Sequence, residues 1–319
     1  LNLAEELDVP GEFCIDWNID SLALYYYPPY ELSDDDVLQL SVVKGASFIC
    51  EDTSNIVFDG IKFTGIRNVD RTQGVITVDN SDNIEIRNCT FTYNDGSANI
   101  VITGEENTVE ACGFYNCGAS GVLLLGGGDY ETLEPQNNVI SNNHFYNTGS
   151  SSNNSQAGAV TTSTYGHTEG ATVGNTITNN LIHHIYGAVS VQFNGVEYDV
   201  SNNEVSNGLR ELADYGMIYT GARPIIQGTT INYNYIHDFG SLKNDSVATN
   251  GIYIDDWASG QTAYNNIIVS NNTSNVATTY AIYSVGAYQN FKYNIMANSN
   301  RGVSQGSRTT LVGGSNGTL

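Results

Sequence analysis

The chain has 319 residues, with 11 Lys and Arg against 34 Asp and Glu, for a formal net charge of −23. So large an acidic excess, with no run of basic residues, removes the counter-field that a phosphate backbone or an anionic membrane surface needs. No apolar stretch approaches the ~20 residues that span a bilayer, so neither nucleic acid nor membrane is an expected partner and the chain reads as soluble.

The opening LNLAEELDVPGEF has neither the basic start nor the apolar core of a signal peptide. It reads as a mature chain or as one cut from something longer. Residues 1–45 are expected to form a strand pair and lead-in, and residues 46–319 a single repeat domain. All five cysteines, Cys14, Cys50, Cys89, Cys112 and Cys117, fall early and include no zinc-type pair. Their odd number leaves at least one without an intrachain partner.

From residue 58 onward one pattern recurs. FDGIKF (58–63), IRNCTF (86–91), VEACGF (109–114), ISNNHF (140–145), ITNNLI (177–182), VSNNEV (200–205), INYNYI (231–236), AYNNII (263–268) and FKYNIM (291–296) share a register, at spacings of 23 to 37 residues. One column reads Phe63, Phe91, Phe114, Phe145, Ile182, Val205, Ile236, Ile268, Met296. The column two residues earlier reads Ile61, Cys89, Cys112 and then six asparagines, Asn143, Asn180, Asn203, Asn234, Asn266 and Asn294. In a parallel solenoid each coil sits on the last at the strand spacing of about 4.8 Å. Asparagines at one position can then bond amide to amide along the stack, beside an apolar column that forms the core. Cys89 and Cys112 take that ladder position in adjacent coils, where a disulfide is within reach; two buried thiols standing in for amides are the other reading.

Between these segments lie second strands, GVITV (74–78), GVLLL (121–125), GAVSV (187–191), GMIYT (216–220), GIYID (251–255) and AIYSV (281–285), each with the alternation of a strand. Aligned on their first residues, they put Ile218, Tyr253 and Tyr283 on one outward face. The expected fold is all-β, a right-handed parallel β-helix of about nine coils with an Asn ladder. An uncovered solenoid end exposes strand edges, so end-to-end self-association is a possible mode of assembly.

Few basic residues with abundant Asp, Asn, Ser, Thr and Gly fit a secreted, extracellular protein. Sequons at Asn88, Asn153, Asn244, Asn271, Asn272 and Asn316 are candidate glycosylation sites. The histidines, His144, His167, His183, His184 and His237, show no metal-ligand spacing beyond one adjacent pair, and are expected at turns in solvent.

Three patches carry a family resemblance. LDVPGEFCIDWNIDSLALYYYPP (7–29), ADYGMIYTG (213–221) and NYIHDFGSLKNDSVATNGIYIDDWASGQTAYNNII (234–268) resemble the PGEW…LYYYPP, DGGAIYTWG and IHD…GIYLDDGSSG…NII patches of secreted right-handed β-helix glycoside hydrolases, the group that includes fucosidases and xylanases. Members of that group carry further sequence before the first patch. The resemblance implies a catalytic pair of aspartates, Asp214 and Asp255, with Asp256 as a substitute for Asp255. Here Tyr215 stands where the pattern has Gly, and Trp257 follows the two aspartates.

Glycoside hydrolysis needs two carboxyl groups flanking the bond, about 5–5.5 Å apart for retention or 6.5–9.5 Å for inversion. On a straight strand Asp214 and Asp255 would stand ~20 Å apart, so a bend near Tyr215–Gly216 is required. Otherwise both aspartates serve as turn caps. Tyr219, Tyr253, Trp257 and Arg223 are the candidate contacts to a poly- or oligosaccharide. No resident metal is expected for hydrolysis. A calcium-dependent polysaccharide lyase is a further reading, with Arg210 and Arg223 near Asp214 and with Asp238, Asp245, Asp255 and Asp256 as possible calcium ligands. A non-catalytic, glycosylated structural or adhesive solenoid that stacks into filaments is the alternative from outside enzymology.

Overall fold

In a computed structural model of the chain, the residues described are 4–16, 23–38, 40–41, 45–68, 70, 72–150, 157–162, 172–185, 189–209, 214–221, 223–240, 248–271 and 278–306. They divide into two units, Leu1–Leu40 and Ser41–Leu319. In the first, Phe13–Asp16 pairs antiparallel with Ala23–Tyr26. The PGEF turn before it has a local cause. Gly11 takes a φ of 98°, open to glycine but not to most residues, and the Glu12 carboxylate accepts from the Asp8 and Val9 amides at 3.0 Å each.

The second unit is a right-handed parallel β-helix. Each coil contributes one strand to each of three parallel sheets. Sheet I has ten strands, from Phe48–Glu51 to Arg301–Gln305; sheet II has nine, from Val57–Asp59 to Asn290–Lys292; sheet III has nine, from Lys62–Thr64 to Ile295–Ala297. Identical positions in successive coils pair directly: Phe63 with Phe91, Phe91 with Phe114, Phe114 with Phe145. Their rings stack at 4.9, 4.8 and 4.6 Å, the coil spacing itself. The inward residues of the three sheets form one continuous core. No helix among the described residues is long and apolar enough to cross a membrane.

The paired asparagines divide two jobs. The first of each pair sits at the corner between sheets II and III. That corner column, Gly60, Asn88, Ala111, Asn142, Asn179, Asn202, Tyr233, Asn265 and Tyr293, has φ between 51° and 70° throughout, a left-handed conformation that Asn tolerates better than most residues. The second asparagine points inward and forms the ladder. Asn143, Asn180, Asn203, Asn234 and Asn266 each donate their side-chain amide to the next asparagine's Oδ1, at 2.9–3.1 Å. Each also donates to a carbonyl of the coil before, as Asn203 does to Ile177 at 2.9 Å.

Cys89 and Cys112 are not joined; both are free, buried thiols. The reason lies in the ladder. The Cys112 thiol points at the Ile86 carbonyl (3.4 Å) and the Cys89 thiol at the Phe58 carbonyl (3.5 Å), the carbonyls that the asparagine amide would take at these positions. Burial pushes the Cys112 thiol up to about 12, which keeps it protonated and able to donate.

A second ladder runs along the corner before sheet II. There the backbone amides of Ile84, Asn107, Asn138, Tyr198, Thr229 and Gln261 donate to the side chains of Asn107, Asn138, Asn175, Thr229, Gln261 and Gln289 respectively.

Candidate active site

Sheet I shows the site's construction and corrects the outward face expected above. Tyr219 pairs with Tyr253, and Tyr253 with Tyr283, while Ile218 pairs with Ile252 and Ile282 in the core. The outward strip is therefore Tyr219, Tyr253 and Tyr283, with Gln192 one coil earlier. Gly216 lies opposite Asn250 rather than Gly251. Aligning the segments on their glycines slips the register by one, and a slip of one moves each side chain to the other face.

The strand that follows Asp214 is irregular. Pairing is interrupted at Met217, and the adjacent Met217 and Ile218 both face the core, so the strand turns there. The Tyr215 and Tyr219 rings meet edge-on, with centroids 5.7 Å apart. Asp214, exposed and at a φ of 67°, enters this bend.

Asp255 lies just past the strand Thr249–Ile254, its amide bonded to the Thr220 carbonyl at 2.7 Å. The facing Gly221 is required here, because a Cβ on it would come within 2.7 Å of Asp255 Cβ. The half-buried Asp255 side chain does not cap its turn. Its Oδ2 accepts the Tyr219 hydroxyl at 2.9 Å, and its Oδ1 is buried without a well-formed hydrogen bond. The Tyr253 hydroxyl is also near enough to be acted on by this carboxylate. Gln192 Oε1, in the same strip, is a second buried acceptor without a partner.

The two phenols are held neutral. Desolvation is the largest cause at both Tyr219 and Tyr253, reinforced by the charge and hydrogen bond of Asp255 and, more weakly, by the charge of Asp214. Residues 41 positions apart thus act on the same two side chains. The turn continues through half-buried Asp256 to Trp257, which is 41% exposed at a φ of 63°, and Arg223 is half-buried. Two neutral phenols, Tyr253 buried and Tyr219 half-buried, beside one carboxylate are suited to orienting a hydroxylated ligand or a water.

The proposed calcium set is not assembled. Asp238 lies within the sheet III strand Tyr235–Phe239 and bonds the His237 ring at 2.7 Å, whereas Asp255 and Asp256 precede sheet II. Among the described residues no three His, Cys, Asp or Glu side chains are placed to hold a metal ion. Arg210, Asp245, His167 and the sequons Asn153, Asn244, Asn272 and Asn316 lie outside the described residues. Asn88 and Asn271 are exposed, and the Asn88 amide donates to Asp59 at 2.8 Å.

None of the four described histidines is exposed. His144 and His183, on the outer face of sheet III, approach Nε2 to Nε2 at 2.7 Å; His183 Nδ1 meets His184 Nδ1 at 2.8 Å, and the Tyr115 hydroxyl meets His144 Nδ1 at 3.3 Å. They lie 39 residues apart in sequence and one coil apart in space, which is why spacing hid them. One set of neutral tautomers satisfies the whole chain: Tyr115 donates to His144, His144 to His183 and His183 to His184. Desolvation lowers both His144 and His183 from the ordinary 6.5, with Tyr146 beside them and Glu204 opposing weakly at His183. A histidine whose folded value is depressed binds fewer protons folded than unfolded. Its stabilisation is complete above pH 6.5 and is lost as pH falls below that value. Melting temperature is accordingly expected to drop on acidification from pH 7 to ~5.5, and less so in His183→Gln. An identical pH profile for the variant would refute the assignment.

A family model described as right handed beta helix region matches residues 41–168. No curated protein matches the chain. Among solved structures, the chain is similar to the Azotobacter vinelandii mannuronan C-5 epimerase AlgE4 A-module, at 15% identity over 80% of this chain and 84% of that one, with a TM-score of 0.30. It is also similar to an alginate lyase from Paenibacillus sp. str. FPU-7 (13%, 82% and 99%, TM-score 0.38) and to the GH136 lacto-N-biosidase from Eubacterium ramulus (10%, 83% and 62%, TM-score 0.36). At such identities and scores these likenesses transfer no residue roles.

Proposed function

We propose that this chain is an extracellular carbohydrate-active enzyme, a glycoside hydrolase that uses Asp255 and Asp214. The observation that carries the reading is the Asp255 carboxylate, with one oxygen fixed by Tyr219 and the carboxylate also acting on the Tyr253 hydroxyl. A carboxylate oxygen accepts more than one hydrogen bond, so a substrate hydroxyl or attacking water can add to those of the phenols. Because Tyr219 is neutral and donates, Asp255 is the acceptor of the pair, which suits the base or nucleophile. Asp214 is left to protonate the leaving oxygen. The balance is simple: the glycosidic C–O bond breaks, water supplies a hydroxyl to the anomeric carbon and a proton to the leaving group.

Neutral Tyr219 and Tyr253 argue against the alternative chemistry of proton abstraction by a phenolate, and the −23 charge disfavours a polyanionic substrate. The test is incubation with a panel of neutral and uronate polysaccharides, followed by analysis of the new chain ends. Saturated products with new reducing ends are expected, and their first-formed anomer, read by NMR, gives the stereochemistry. Unsaturated uronate ends would instead make the protein a lyase. No cleavage, together with end-to-end polymers under the electron microscope, would make it a structural solenoid.

A further inference from the structure

The corner between sheets II and III holds a cost that the fold does not explain. Of its nine left-handed residues five are Asn and one is Gly, but Tyr233 and Tyr293 take the same conformation at φ of 53° and 55°. A bulky aromatic is uncommon in that conformation; exposed Tyr93 and Tyr288 adopt it singly at other corners, so it is the regular placement of this pair that sets it apart. Neither ring recovers the cost by burial, since Tyr233 is 56% and Tyr293 82% exposed.

Their placement is regular. Asn232 pairs with Tyr264, and Tyr264 with Lys292, so Tyr233, Asn265 and Tyr293 occupy one position in three successive coils. The two tyrosines stand two coils apart, about 9–10 Å along the axis, close to the length of one disaccharide in an extended chain. Between them Tyr264 packs edge-on against Tyr233 at 5.7 Å, and its hydroxyl is fixed by the Asn232 amide at 3.0 Å. Exposed Tyr235 and Ile295 continue the surface onto sheet III. Charge separates this stretch from the rest of the corner. The first coils carry Asp59, Glu85, Arg87 and Glu110, whereas Lys292 is the one ionic side chain among the sheet II strand ends and corner residues from Asn232 to Tyr293.

We propose that Tyr233, propped by Tyr264, and Tyr293 form a non-catalytic platform for one extended neutral polysaccharide chain lying parallel to the solenoid axis. Pyranose rings stack on aromatic faces through their apolar C–H surface, and a ligand that repeats along its length matches a surface that repeats with the coils. The platform is separated from Asp255 within the coil by the whole of sheet II. The choice of a sugar draws on the hydrolase reading, but the surface is tested by binding and not by turnover.

The experiment uses the full chain carrying Asp255→Asn, so that nothing is cleaved, and measures its retention on insoluble xylan, cellulose and chitin. Retention on at least one is expected. Tyr233→Asn with Tyr293→Asn should weaken it about tenfold while raising the melting temperature by about 2–4 °C as the strain is relieved. Tyr93→Asn, which relieves the same conformation at another corner (φ 55°), should stabilise without changing retention. Unchanged retention in the double variant, or no retention of the parent on any of the three, would overturn the platform. A changed oligomeric state with unchanged retention would also overturn it and give the surface to a second copy. Cleavage of soluble substrates by the otherwise wild-type double variant separates this outcome from failure of the hydrolase reading.

Discussion

Asp255→Asn is expected to lower the rate of glycoside cleavage by about 10³-fold or more, the range lost when a nucleophile or general base is removed. The substitution is nearly isosteric, and the amide oxygen can still accept the Tyr219 hydroxyl that Oδ2 accepts at 2.9 Å. It deletes a negative charge that acts on two neutral phenols and leaves no carboxylate oxygen to attack or to take a proton. Melting temperature should therefore change by no more than about 2 °C, so that loss of rate cannot be ascribed to loss of fold. Asp256→Asn, one residue further into the turn, should cost less than about tenfold. Asp214→Asn should depend on the leaving group, with large losses on poor leaving groups and small ones on activated aryl glycosides, as for a proton donor. Activity of Asp255→Asn within tenfold of the parent would remove Asp255 from the chemistry.

What the sequence shows of this molecule follows from how coils stack. A side chain that meets its own kind one coil away leaves a periodic trace, so the Phe63 to Phe145 column and the Asn143 to Asn294 ladder can be read by alignment. The second ladder does the same work with Asn107, Asn175, Thr229 and Gln261, and three residue types at one position leave no single letter to count. Sheet I is harder for another reason. Its strands bend where pairing is interrupted, and the glycine before each bend is a poor marker of register, which is how Ile218 was placed in the strip that belongs to Tyr219. The partners of Asp255 follow from that register. Neither the Tyr219 bond nor the action on the Tyr253 hydroxyl could be read without it, and the His144–His183 contact needed the coil spacing as well.

The adjacent pair Asn202–Asn203 offers a direct test of the division of labour within each coil. Asn203 is buried and serves four bonds: it accepts the Asn180 backbone and side-chain amides at 3.0 Å each and donates to the Ile177 carbonyl and the Asn234 Oδ1. Asn203→Ala removes the partner of the Asn180 backbone amide, of one Asn180 side-chain N–H and of the Ile177 carbonyl in the preceding coil, and one of the donors to Asn234 Oδ1, which keeps the backbone amide of residue 203. At about 1–3 kcal/mol for each unmatched group, with some relaxation, a loss of about 4 kcal/mol is expected, a fall of about 8–16 °C in melting temperature. Asn202 is exposed and holds the left-handed corner at a φ of 55°. Asn202→Ala should cost only about 1 kcal/mol, and Asn202→Gly should cost less still, because glycine accepts that conformation freely. The ordering, severe at 203 and mild at 202 with glycine the better replacement, separates a ladder made of side-chain bonds from a corner made of backbone conformation. Equal losses for the two alanine variants would mean that the amide column does not hold the coils together, and that the apolar stack alone sets the stability of the solenoid.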